Sequence, residues 1–169
     1  MSAGRRPDTA AALAACERLA QVLPARGWMM ATAESCTGGL IAGACTDLSG
    51  SSAWFERGFV TYSNEAKAEL LGVPAELIDQ HGAVSEPVAR AMAAGAVARS
   101  HARAALAVTG VAGPTGGSAE KPVGTVWFGW CIDGQVHTEH RRFDGDRAAV
   151  RAQTVRHALT RLLDLLEAA

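Results

Sequence analysis

Aromatic side chains are scarce, 5% of a 169-residue chain that is 49% hydrophobic, so the core must rest on Ala, Val and Leu packed closely rather than on large rings. No long run of one charge sign occurs and the formal net charge is -1. That balance argues against a surface that neutralises duplex phosphates, and nucleic acid is not an expected partner. No apolar stretch approaches the roughly 20 residues of a membrane helix, and MSAGRRPDT leads into an Ala-rich helical segment rather than a signal core, so no membrane partner is expected. Cys16, Cys36, Cys45 and Cys131 show no C-x-x-C spacing and no paired histidine. They suggest neither a zinc site nor a disulfide framework but a reduced, cytoplasmic thiol set. The Gly-Lys-Ser/Thr ending of a Walker-type loop is missing, as is a G-x-G-x-x-G run between strand and helix, and no metal or cofactor is expected.

The length fits one domain, residues 1–169, that buries roughly two-thirds of its unfolded surface. Residues 1–7 read as a loose arm, followed by a helix capped at Asp8 or Thr9 with Leu13, Cys16, Leu19, Ala20 and Leu23 at helical spacing, ended by Pro24 and Gly27. Trp28 to Ala33 reads as a buried strand, Gly38 to Thr46 as a small-residue helix and Ala53 to Tyr62 as a second strand. Ser63 or Asn64 caps a helix that Gly72 stops, and Pro74 to His81 forms a short one. A longer helix runs from Ser85 to about Ser100. Ala104 to Thr109 is a buried strand opening into GVAGPTGG, and Asp133-Gly134 joins Val123 to Ile132 and Val136 to Phe143 in a hairpin. The last helix spans Asp146 to Glu167. Strands alternating with helices predict an α/β fold: a three-layer α/β/α sandwich on a mixed, mostly parallel sheet.

Thr32 to Leu40, TAESCTGGL, places a carboxylate, hydroxyls, a thiol and two glycines where a strand gives way to a helix, the edge at which open α/β sheets bind ligands. Ser35 is the candidate nucleophile and needs a base. His81, His101, His137, His140 and His157 fall in poor positions for that role. Lys67, in the Tyr62 to Lys67 segment after the next strand, can face the same edge; partial burial would lower its pKa from about 10.4 towards neutrality. The S-x-x-K pairing of penicillin-recognising enzymes is absent, with Gly38 standing where its lysine would be, so a Ser35–Lys67 pair must come from separate loops. Thr109 can join the site from the third strand, and backbone N–H groups of Gly110 to Gly113, or of Ser35 through Thr37, Gly38 and Gly39, can hold an oxyanion. Glu34 either binds a substrate hydroxyl or caps the helix. Cys36 is the rival nucleophile. Among Arg141, Arg142, Arg147 and Arg151, Arg147 is the candidate for a phosphate at a helix start.

Six motifs, AESCTGG, YSNEAK, LGV, HGAVSEPV, TGVAGPTGG and EKPVGTVW, resemble in order and spacing the CinA C-terminal domain family in its stand-alone form. The resemblance covers nearly the whole chain. It implies hydrolysis of the carboxamide of nicotinamide mononucleotide to nicotinate mononucleotide and ammonia, in pyridine nucleotide salvage. It further implies catalytic roles for Ser35, Lys67, Tyr62 and Thr109, and a homodimer or higher homo-oligomer.

Overall fold

The computed structural model describes residues 5–169. Helix α1 (Arg5–Ala25) starts earlier than the cap at Asp8 or Thr9 would place it and takes in Arg5–Pro7, where a loose arm was expected. Pro7 falls in the first turn, which needs no donor from it, and Asp8 instead pairs with Arg156 at 3.1 Å. Residues 1–4 lie outside the described residues.

After α1 come β1 (Met30–Glu34), α2 (Leu40–Thr46), a 3₁₀ turn (Ser51–Ala53), β2 (Phe55–Val60), α3 (Asn64–Leu71), α4 (Ala75–His81) and α5 (Glu86–Ala98). Next are β3 (Ala104–Gly110), the hairpin β4 (Thr125–Ile132) and β5 (Gln135–Arg142), and α6 (Arg147–Ala168). The five strands among the described residues form one sheet in the order β2-β1-β3-β4-β5. Strand β1 is parallel to both β2 and β3, while β4 is antiparallel to β3 and to β5. Only β4 therefore runs against the others, giving the mixed, mostly parallel sheet that the sequence predicts. Asp133 (φ 49) and Gly134 (φ 87) take the two positive φ values that the hairpin turn requires.

Residue alternation along the strands divides the core. Met30, Leu106, Val108, Phe128 and Trp130 face α1, α2 and α6. Ala31, Ala33, Ala105 and Ala107 face α3, α4 and α5 with Leu71, Ile78, Val88 and Met92. The rings are thus concentrated on one face, where the Trp130 indole N–H is satisfied by the Ala158 carbonyl at 3.0 Å. Because β1, β2 and β3 are parallel, their carboxyl ends meet at one edge. The ladder extends just past them: Thr61 donates its N–H to the Glu34 carbonyl at 2.8 Å and Ser35 to that of Val108 at 3.1 Å. Residues 35, 61 and 109 are thereby brought side by side.

Candidate active site

Ser35 begins the turn between β1 and α2. The predicted helix from Gly38 starts two residues late because Gly38 (φ 57) and Gly39 (φ 104) both adopt left-handed backbone, which a helix cannot continue. Glu34 secures the turn from within. Its fully buried carboxylate accepts the Thr37 hydroxyl and the N–H groups of Ile41 at 2.9 Å and Ala42 at 3.0 Å. It satisfies the first free donors of α2, so the helix-capping alternative, rather than substrate contact, accounts for its carboxylate.

Lys67 arrives from α3, whose start is fixed by Ser63 accepting the Ala66 N–H at 3.0 Å, a cap worth about 1 kcal/mol. The lysine is 1% exposed. Its Nζ lies 2.9 Å from Ser35 Oγ, 2.9 Å from the Thr61 carbonyl and 3.3 Å from the Tyr62 carbonyl. Among the described residues no carboxylate pairs with it. Burial accordingly pushes its pKa below the ordinary lysine value, opposed by a smaller effect from Cys36. A neutral amine has two N–H bonds and one lone pair. In that form the two carbonyls would take the N–H bonds and leave the lone pair for the Ser35 hydroxyl; a charged ammonium would instead donate to all three oxygens.

The pair opens into a cavity of about 280 Å³ walled by Tyr62, Ala83, Thr109, Gly110, Gly113 and Arg147, among others. A Cβ on Gly110 would come within 2.8 Å of Val126 Cγ2 and 3.2 Å of Cys36 Sγ, so only glycine lets this wall press against the Ser35 turn. Arg147 spans the mouth, donating to the Gly113 carbonyl at 2.8 Å and to the Tyr62 hydroxyl at 3.1 Å. A larger groove, about 680 Å³ between α1, α2 and α6, contains neither Ser35 nor Lys67. No group of three or more His, Cys, Asp or Glu among the described residues is placed to hold a metal.

The fold thus brings Ser35, Lys67, Tyr62, Thr109, Gly110, Gly113 and Arg147 to one cavity. Glu34, Thr37, Gly38 and Gly39 build the turn beneath it and do not line it. Tyr62 is 61% exposed at the mouth, with its hydroxyl on Arg147 rather than on the pair. Thr109 directs its hydroxyl to the Ala83 carbonyl at 2.9 Å. None of the five histidines lines the cavity. Burial raises the Cys36 thiol to about 12, which removes it as a competing nucleophile near neutrality. Sequence reasoning missed the Thr61 carbonyl and the grip of Arg151, whose Nε and Nη2 donate to the carbonyls of Cys36 at 3.1 Å and Thr37 at 3.2 Å. Its spacing of four from Arg147, one helical turn on the same face, was the available signal.

A family model described as the CinA C-terminal domain matches residues 13–166. The chain belongs to this family. A relative from Enterobacter agglomerans, the nicotinamide-nucleotide amidohydrolase PncC, is 61% identical over 132 residues, covering 78% of this chain and 80% of the relative. The protein of the same name from Escherichia coli (strain K12) is 56% identical over 147 residues, 86% and 89% of the two chains. Among solved structures, the competence/damage inducible protein CihA from Agrobacterium tumefaciens superposes with a TM-score of 0.89 at 49% identity, covering 92% of this chain and 95% of that one.

Proposed function

We propose that this protein is an amidohydrolase that converts nicotinamide mononucleotide to nicotinate mononucleotide and ammonia in pyridine nucleotide salvage, with Ser35 as nucleophile and Lys67 as its base. The observation that carries the reading is the 2.9 Å contact between Ser35 Oγ and the buried Lys67 amine. Relatives named nicotinamide-nucleotide amidohydrolase, 56% and 61% identical to this chain, support the substrate.

Neutral Lys67 takes the Ser35 proton as Oγ attacks the carboxamide carbon. The resulting oxyanion needs N–H donors, and several nearby are already engaged: Ser35 with Val108, Gly38 with Ser35 and Val111 with Thr125. Ala112 and Gly113, whose residues line the cavity, are the proposed donors. Lys67 then returns the proton to the departing nitrogen, ammonia leaves and an acyl-enzyme remains. Water attacks the ester with Lys67 again as base, releasing nicotinate mononucleotide and restoring the Ser35 hydroxyl. Tyr62 and Thr109 hold the walls, and Arg147 takes the 5′-phosphate at the mouth. Lysine and backbone donors supply every step, so the sequence calls for no metal or cofactor.

Purified protein incubated with nicotinamide mononucleotide should release ammonia, whereas a non-catalytic nucleotide-binding module would bind it without turnover. Release from free nicotinamide but not the nucleotide would reassign the substrate. We place the enzyme in the cytoplasm, where its four thiols stay reduced, and propose a homodimer through the exposed Leu40, Val60 and Leu70. A monomeric mass in sedimentation would remove the latter.

A further inference from the structure

We infer that Arg151 is a positioning residue for the nucleophile, a clamp on α6 that holds the Ser35 turn in its reactive shape. The inference rests on the Ser35–Lys67 reading above. Residues 35–39 form no regular element, and two of their five backbone positions are left-handed. Such a turn needs anchors. Glu34 provides one on the α2 side, and Arg151 provides the other from a helix more than a hundred residues later in the chain.

The clamp is specific in geometry. Its two donors grip successive carbonyls, Cys36 at 3.1 Å and Thr37 at 3.2 Å. A trans peptide points its N–H opposite to its carbonyl. Drawing the Thr37 carbonyl outward therefore turns the Gly38 N–H inward, where it donates to the Ser35 carbonyl at 3.1 Å. The guanidinium thus acts on Ser35 through one peptide unit. Arg151 makes no ion pair among the described residues, so its charge is not committed to a carboxylate. It also does not line the cavity that holds Ser35 and Lys67, whereas Arg147, one turn earlier, does. The two arginines divide the work: Arg147 faces the ligand and Arg151 faces the turn. Lysine cannot replace the fork, since one ammonium cannot reproduce two parallel donors.

The test compares wild type, Arg151→Lys and Arg151→Ala by steady-state kinetics with nicotinamide mononucleotide, by affinity for nicotinate mononucleotide, and by the rate at which phenylmethanesulfonyl fluoride labels Ser35. Labelling needs no substrate: Ser35 Oγ bonds to sulfur, the S–F bond breaks, fluoride leaves and Lys67 takes the proton. A loosened turn should lower kcat roughly tenfold in Arg151→Lys and about 10²-fold in Arg151→Ala, since small misplacements of a reacting group carry costs of that order. KM and product affinity should stay within about twofold, and labelling should slow in parallel with kcat. Arg151→Lys keeps the charge and guards against an Arg151→Ala chain that fails to fold. Unchanged kcat and labelling in Arg151→Lys would overturn the clamp. Weakened product affinity with kcat preserved would also overturn it, making Arg151 a phosphate ligand. Wild type that releases no ammonia while its Ser35 still labels faster than that of Arg151→Lys would refute the substrate alone.

Discussion

Two glycine-rich turns end neighbouring strands of this sheet and do opposite work. In the turn after β1, the glycines provide left-handed backbone outside the cavity, and the charged residues Glu34 and Arg151 both grip the chain just after Ser35, Glu34 through Thr37, Ile41 and Ala42 and Arg151 through Cys36 and Thr37. At the end of β3 and in the loop after it, Gly110 and Gly113 are themselves cavity wall, lying against Cys36 and Val123 where a side chain would collide. One turn presents a single hydroxyl, and the other presents backbone. Glycine content alone does not distinguish them; what grips the turn does.

Four substitutions separate these roles, from the largest expected effect to the smallest. Ser35→Ala removes the one reactive group of the first turn and should lower ammonia release by roughly 10⁴-fold or more with product affinity nearly intact; activity surviving in this variant would return attention to Cys36. Lys67→Met should lower kcat by roughly 10²–10⁴-fold, the range of a lost general base. In wild type, kcat/KM should rise with pH as Lys67 loses its proton and level off below the ordinary lysine value of about 10.4, because burial lowers its pKa. Stability carries the same sign. With a depressed pKa in the folded state, the unfolded chain binds more protons between that pKa and about 10.4, so stability contributed at this site is complete above the ordinary value and falls as pH drops through the folded one. Denaturant melts across pH should show this slope in wild type and its loss in Lys67→Met.

Arg147→Ala tests the mouth. Losing one charge-assisted contact to a phosphate should raise KM roughly tenfold to a hundredfold and leave kcat within a few-fold. A kcat defect at unchanged KM would move Arg147 into the chemistry. Thr109→Val breaks only the bond to the Ala83 carbonyl and should cost about 1 kcal/mol in a denaturant melt. A large kcat loss there would instead support a relay through Thr109.

The fold was legible because its signals are local: alternating strands and helices, the Ser63 cap and the Asp133-Gly134 turn all stand where the sequence predicts them. Ser35 and Lys67 were legible as a pair because both follow parallel strands whose ends must meet. The start of α1 was not, since Asp8 and Thr9 read as caps after a loose arm, whereas the helix already includes Pro7, which suits a first helical turn. Glu34 allowed two roles, and only its contacts with Thr37, Ile41 and Ala42 separate capping from ligand binding. The spacing of Arg151 from Arg147 shows that the two share a helix face, but its reach to Cys36 depends on how α6 docks, a long-range outcome that this local pattern does not encode.

The central claim is that Ser35 is activated by a neutral lysine, and the chain makes this directly measurable because Lys67 and Lys121 are its only lysines. Protein labelled with ¹⁵N-lysine should give two side-chain amine signals, and Lys121→Arg identifies the one that belongs to Lys67. The account predicts that the Lys67 signal titrates clearly below the ordinary lysine value, and that Ser35→Ala alters that titration because it removes a direct partner of Nζ. A Lys67 amine that titrates at or above the ordinary value, and is indifferent to Ser35→Ala, would contradict it.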